Sequence, residues 1–352
     1  VRFVAVVKEN IMSLQKSIWC FGLLVLLAGL PAHATFPGKN GRIAFVQGPD
    51  IFLMNPDGSD VRQLTSFTDD NPAFWENWSS DARQLVFSRF PAPDFFGQLW
   101  LMNADGSNQH LLLNDPGFDD VAPSFSPDGS HVIFSRCGPL AGEFPCAVYR
   151  VGVDGSGLVP VTPVRIELQD FEPVYSPDGA TIAFDSFGRD GVIAAIHLMN
   201  ADGSQIHEVS EPELEGYSPD WSPDGRQLVF TTKCCNPELP NLVMINQDGK
   251  RVRQLTDDNG VIAAGRSSWS PQGDAIVFFS TNVETGENGI YVISADSSSS
   301  KAKLILKVRP TTLVKHGPRM IPRSRLVKNK KKVPGSTQIE DGGALPRWGS
   351  AQ

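Results

Sequence analysis

Apolar clusters of strand length, separated by Pro, Gly, Asn, Asp and Ser, follow one another from residue 36 to residue 297. Helical solenoids would place a 3.6-residue periodicity between such breakers, whereas these segments carry strand signals. The clusters also recur. The run Trp221-Ser222-Pro223-Asp224-Gly225-Arg226-Gln227-Leu228-Val229-Phe230 has counterparts closing at Phe45, Phe87, Phe134, Phe184 and Phe278, in steps of 42, 47, 50, 46 and 48 residues. Strand-built repeats of this length point to propeller blades.

Each unit carries two turns. In Ser222-Pro223-Asp224-Gly225, Pro fixes φ at the second position, Ser and Asp suit a type I turn, and Gly supplies the left-handed residue of a bulged hairpin. The same turn stands at Ser126-Pro127-Asp128-Gly129 and Ser176-Pro177-Asp178-Gly179, and with Gln at Ser270-Pro271-Gln272-Gly273. Ser79-Ser80-Asp81-Ala82 lacks both Pro and Gly and is the weakest copy. A second turn follows at Asn55-Pro56-Asp57-Gly58, Asn103-Ala104-Asp105-Gly106, Val153-Asp154-Gly155, Asn200-Ala201-Asp202-Gly203 and Asn246-Gln247-Asp248-Gly249, with a degraded copy at Ser294-Ala295-Asp296-Ser297. Two hairpin turns per unit imply four strands, named A to D from the axis outward.

Strand A ends on an aromatic, at Trp78, Phe125, Tyr175, Trp221, Trp269 and Trp348, and strand B ends on the Phe series. Both series are best explained as packing between blades. Strand D alternates polar and apolar residues, as in Val61 to Thr65 and Val252 to Thr256, which suits a half-exposed edge. The first unit supplies only three strands: Gly41 to Val46, Asp50 to Asn55 and Val61 to Thr65. The final residues, Leu345-Pro346-Arg347-Trp348-Gly349-Ser350, copy the segment that precedes the turn elsewhere, as in Ala122-Pro123-Ser124-Phe125-Ser126. The expected fold is therefore all-β: a six-bladed propeller of four-stranded antiparallel blades, closed by pairing of the C-terminal strand with the N-terminal blade.

Composition adds an asymmetry. The chain of 352 residues has formal charge −8, but residues 301 to 332 hold twelve Lys or Arg and no Asp or Glu, leaving −20 on the remainder. Such a surface disfavours nucleic-acid binding by the repeat domain. Residues 12 to 34 read as a secretory signal, with Met12 and Lys16, the apolar run Ile18 to Leu30, and the cleavage site Ala32-His33-Ala34. Residues 1 to 11 precede this candidate initiator, and the thirteen-residue apolar run is short for a bilayer span, so no transmembrane segment is expected after cleavage. The expected organisation is a signal peptide over 1–34, blades over 35–297, a basic insertion over 298–340 whose start holds an outer strand at Lys303 to Lys307, and a closing strand over 341–352.

The matching stretches Tyr175 to Phe184 and Ile196 to Ser204 resemble TolB-type β-propeller repeats, also called WD-like repeats, across residues 36 to 297 and the last ten or so. The resemblance implies a periplasmic or secreted, non-enzymatic, monomeric propeller that serves as a binding scaffold for another envelope or extracellular protein, without the α/β domain that precedes the propeller in TolB itself. The alternative is a propeller that binds or processes a ligand such as a glycan at its channel mouth, in the manner of a lyase.

No catalytic signature or cofactor motif stands out, and His110, His131, His197, His207 and His316 share no spacing. Carboxylates recur in the loops that enter strand A: Asp69 and Asp70, Asp119 and Asp120, Asp170 and Glu172, Glu215, Asp257 and Asp258, Glu340 and Asp341. They fit ordinary solvated turn residues. On a closed ring they also fit an acidic funnel for a cation or a basic peptide. Cys137 and Cys146 flank one B–C loop within disulfide reach, while Cys234 and Cys235 stand adjacent in another.

Overall fold

The computed structural model describes residues 37–68, 72–91, 96–141, 143–189, 194–211, 214–232, 241–256, 262–282, 285–296, 302–308 and 346–350. Every described residue belongs to one compact unit within residues 33–352. The expected signal sequence, Cys234, Cys235, and the basic segment beyond Val308 lie outside the described residues. No described helix is long and apolar enough to cross a membrane.

The protein is an all-β propeller of antiparallel sheets. The first sheet orders β24 (Arg347–Ser350), β1 (Asn40–Gln47), β2 (Asp50–Met54) and β3 (Arg62–Gln63). The next holds β4 (Ala73–Trp78), β5 (Gln84–Arg89), β6 (Gln98–Asn103) and β7 (His110–Leu113). Two further four-stranded sheets are β16 (Gly216–Trp221), β17 (Gln227–Thr232), β18 (Asn241–Asn246), β19 (Arg251–Gln254), and β20 (Ile262–Trp269), β21 (Ala275–Asn282), β22 (Asn288–Ser294), β23 (Lys303–Val308).

The repeat count predicts six separate four-stranded sheets, and here the structure differs: four stand alone and the remaining two units share one eight-stranded sheet. One half contains β8 (Asp119–Phe125), β9 (His131–Cys137), β10 (Cys146–Gly152) and β11 (Val159–Pro160); the other contains β12 (Gln169–Tyr175), β13 (Thr181–Phe187), β14 (Ala195–Asn200) and β15 (His207–Glu208). A single parallel bridge, Cys146 to Gln169, joins the halves. The Gln169 side chain reinforces it by donating to the Phe144 carbonyl at 3.3 Å. A disulfide links Cys137 to Cys146 at the same end of β9 and β10.

Strand order follows the turn chemistry. Even Ser79 to Ala82 folds as a turn: Ala82 takes φ 53°, and Asp81 accepts from the Ser79 hydroxyl and the Arg83 N–H. The outer strands are shorter than alternation predicts, because a hydroxyl replaces part of the ladder. Thr65, Thr162, Ser210 and Thr256 each accept from the backbone N–H of strand C, at Ile51, Val148, Ile196 and Leu242 respectively.

Packing links consecutive units through the strand A aromatics. Trp221 lies among Val174, Ala183 and Leu198 of the preceding unit, and Trp269 among Val229, Leu242 and Met244. Trp348 clusters with Val277, Ile290 and Val308 of the last unit and with Ile43, Phe45 and Met54 of the first. Its strand, β24, pairs with β1 at Ile43 to Trp348 and Ala44 to Arg347. Backbones also approach closely at the second turns: a Cβ on Gly203 would fall 2.2 Å from the Val161 carbonyl oxygen, and one on Gly106 2.6 Å from that of Leu64.

Two substitutions test these seams. Trp348→Ala should cost about 3–5 kcal/mol in urea melts, the usual range for deleting a buried Trp; a loss under ~1 kcal/mol would mean that β24 contributes little. Gly203→Ala should cost more than Gly117→Ala, because both residues have left-handed φ (85° and 93°) but only Gly203 abuts a neighbouring carbonyl. Equal losses would show that backbone strain alone keeps glycine at these turns.

Candidate functional site

Strand A is irregular in the same place in five units. Register shifts fall between Phe74 and Asn77, Val121 and Ser124, Phe171 and Val174, Tyr217 and Asp220, and Gly265 and Ser267. Within each bulge one non-glycine residue has positive φ: Trp75, Ala122, Glu172, Ser218 and Arg266. A left-handed side chain costs of order 1–2 kcal/mol, so a fivefold recurrence calls for a compensating gain.

Part of the gain is local. A bulge frees a backbone N–H from the ladder, and strand B of the preceding unit receives it: Glu172 N–H donates to Ser135 Oγ at 3.0 Å and Ser218 N–H to Asp185 Oδ1 at 3.3 Å. The rest is long-range. Trp75, Glu172 and Arg266 stand in alternate units, yet they meet. Trp75 Nε1 donates to Glu172 Oε1 at 3.0 Å, and an Arg266 guanidinium nitrogen lies 2.6 Å from the same oxygen as an ion pair without straight hydrogen-bond alignment. The guanidinium carbon also sits 4.9 Å from the Trp75 ring centroid. The units between carry Ala122 and Ser218 at this position, so large and small side chains alternate and the three long ones meet.

Buried carboxylates surround this contact. Glu76 is 0% exposed, and neither carboxyl oxygen has a hydrogen-bond partner in another of the described residues. Burial pushes its pKa up to about 8, opposed only in part by its own backbone N–H, Arg347 and Arg266. Asp185 is raised well above the ordinary range by burial and then by the Glu172 charge. Asp220 is raised by burial against the pull of Arg347, and it accepts from Trp269 N–H at 2.9 Å. Toward the turn end, Asn77, Ser124, Asp220, Ser268 and Arg347, with the strand A aromatics, line a cavity of about 30 Å³. That is room for a few waters, not for a sugar ring.

The carboxylates expected in the entry loops take separate positions. Asp69, Asp70, Asp257, Asp258, Glu340 and Asp341 lie outside the described residues. Asp119 and Asp120 open β8 and are buried, not solvated. Asp119 accepts from Gly97 N–H at 2.6 Å, and burial pushes its pKa up to about 6. Asp120 binds Arg136 through two nitrogens, at 2.7 and 2.8 Å, with the guanidinium stacked near Phe118. Asp170, also buried, receives the Ser186 hydroxyl and the Arg189 guanidinium. Glu215 accepts from the Tyr217 hydroxyl at 2.6 Å. Among these five acids, only Glu172 joins the central contact. The sequence reading missed Trp75, Arg266, Glu76 and Asp185; aligning strand A on its closing aromatic shows the first two, three residues upstream.

A family model described as the TolB beta propeller domain matches residues 147–312. Among solved structures, TolB from Acinetobacter baumannii is 18% identical with TM-score 0.59, the match covering 75% of this chain and 65% of that one. This chain therefore spans a little under two thirds of that protein. A putative TolB from Agrobacterium tumefaciens is 18% identical over 73% of this chain and 99% of that one, with TM-score 0.50. An oligogalacturonate lyase from Vibrio parahaemolyticus is 15% identical over 77% of each chain, with TM-score 0.53. At such identities the structural likenesses establish the fold.

Glu76 supplies a pH test. Its raised pKa means that the folded state holds a proton the unfolded chain releases above 4.5, so its contribution to stability is complete below that pH and is lost as pH rises to about 8. The raised Asp119 acts in the same sense but is spent by about 6. Wild type should therefore lose about 1.4 kcal/mol per pH unit between pH 6 and 8 relative to Glu76→Gln, in denaturant melts. Parallel curves for the two proteins would refute an ionisable, unpaired Glu76.

Proposed function

Because the chain is a TolB-type β-propeller, we propose that it is an exported, non-enzymatic scaffold that binds another protein of the cell envelope or extracellular space. The observation that carries this reading is the contact of Trp75, Glu172 and Arg266 from alternate units, which occupies space a ligand on the axis would need. Binding then falls to the two end faces, which suit a macromolecular partner.

The propeller is read as six-bladed and monomeric, the eight-stranded sheet counting as two blades. The β1–β24 pairing and the first-to-last cluster around Trp348 support a closed ring. Periplasmic or secreted location follows from the leader-like residues 12–34 and agrees with the Cys137–Cys146 disulfide, which persists in oxidising compartments. The acidic propeller surface favours a protein partner over a nucleic acid. Of the acids expected at the channel mouth, Glu172 is assigned a structural role across the axis, and a cation or basic peptide remains a candidate ligand only for the entry loops.

The second reading, a glycan-binding or glycan-processing propeller, draws on the likeness to oligogalacturonate lyase. The central contact and the small turn-end cavity count against it, as does the scatter of His110, His131, His197 and His207 over separate strands. Two measurements separate the readings. Cross-linking the exported protein in its native envelope should capture one protein species in a complex that excess free propeller competes away. Turnover of oligogalacturonate to unsaturated products, without any competable protein partner, would replace the scaffold by the lyase.

A further inference from the structure

In each unit one residue precedes the aromatic that closes strand A: Asn77, Ser124, Val174, Asp220, Ser268 and Arg347. Side chains alternate along a strand, so where the aromatics turn to the seams these six turn the other way. All six border the turn-end cavity of about 30 Å³. Five are polar, and one of those is a cation.

This lining holds more donors than acceptors. Trp78, Trp269 and Trp348 also border the cavity, are 3–5% exposed, and their indole N–H groups have no acceptor among the described residues. Trp221, the strand A tryptophan that does not border it, gives its N–H to the Val174 carbonyl at 3.3 Å. The Asn77 amide and the Ser124 hydroxyl likewise bond to no other described residue. The Arg347 guanidinium is weakly engaged: one nitrogen lies 3.5 Å from the Ser267 carbonyl and 3.9 Å from Asp220, with the side chain 19% exposed. Buried donors left without acceptors are costly, and a bound acceptor relieves them.

Charge points the same way. Arg347 is always ionised. Asp220 already accepts from Trp269 N–H at 2.9 Å, and burial biases its carboxyl toward the neutral form. Glu76, another acid on which Arg347 acts, is held neutral by burial up to about pH 8. Size narrows the choice of acceptor. A water needs about 10–15 Å³ of such space, so the cavity admits about two or three water-sized particles. A halide fits there beside a water, whereas the larger sulfate and phosphate do not. We propose that the turn-end cavity is a halide site, with chloride as its ligand, Arg347 as the charged anchor, and the Asn77, Ser124 and indole donors around it. Arg347 and Trp348 belong to β24, Asn77 and Trp78 to β4, and Trp269 to β20. A bound halide therefore ties the C-terminal strand to two further sheets and strengthens its pairing with β1.

Two measurements on the folded full chain near pH 7 test the site. In crystals soaked in sodium bromide, an anomalous-scattering peak is expected in the cavity beside the Arg347 guanidinium. In solution, exchanging sodium gluconate for sodium chloride should raise the melting temperature along a saturating curve and slow amide exchange in Arg347–Ser350 several-fold. Constant ionic strength removes general screening, and saturation marks binding. Arg347→Gln should abolish the saturating response, whereas Asp220→Asn, which removes the competing charge, should bring saturation at several-fold lower chloride. A cavity holding water only, a chloride response that is absent or does not saturate, or an undiminished response in Arg347→Gln would overturn the proposal. Should Arg347→Gln fail to fold, the bromide map of the wild type and the Asp220→Asn shift remain decisive.

Discussion

A four-stranded sheet with apolar side chains on both faces cannot bury them alone, and every other feature of this molecule follows from that constraint. Each unit meets it by sending the aromatic of its inner strand back onto the unit before it, as Trp221 does onto Val174 and Leu198. The arrangement has a direction, so the first unit lacks a predecessor in sequence. Trp348 supplies the relation from the far end of the chain, on a strand that pairs with β1 and packs on Val277 and Ile290. The pairing of β1 with β24 has the greatest sequence separation of any strand pairing described, and closing so long a loop is costly in entropy before any contact rewards it. Local hairpins are therefore expected to form first and this pairing last.

The axis obeys a different constraint. Inner strands that converge leave a space too narrow for a long side chain from each and too wide to leave lined by small ones. Left-handed bulges turn Trp75, Glu172 and Arg266 toward one another from alternate units, while Ala122 and Ser218 leave them room. Burying a charged pair is costly in itself. Here the carboxylate also receives an indole N–H and the guanidinium lies against the indole ring, so both charges keep favourable partners after desolvation. Glu76 has no such partner among the other described residues, and burial answers by keeping it protonated up to about pH 8.

Much of the architecture was legible because its signals are local and repeated. Turn residues such as Ser222 to Gly225 sit next to the strands they reverse, and the Phe series recurs in step with the units. The axis was not legible, because Trp75, Ala122, Glu172, Ser218 and Arg266 share no chemistry; what unites them is a backbone angle that none of these residue types announces. The acids misled for a related reason. Asp120 and Asp170 looked like solvated loop residues, but their counter-charges, Arg136 and Arg189, stand 16 and 19 residues away and become neighbours only when β8 meets β9 and β12 meets β13. The merger of two units into one sheet rests on a single bridge between Cys146 and Gln169, too little to leave a trace in either segment.

These two constraints divide the molecule by end. At the turn end, Asp-centred clips and glycine approaches repeat from unit to unit, and the same geometry that fixes the turns also packs each unit on its neighbour. A surface so committed to the seams has little freedom to vary without loosening them. At the opposite end the connections differ in length and composition: one B–C loop is cross-linked by Cys137 and Cys146, and one D–A connection exposes Val164 and Ile166. Loops released from seam packing on a rigid frame are where recognition generally resides. With Trp75, Glu172 and Arg266 in contact between the two ends, a partner bound to those loops would be read by their side chains.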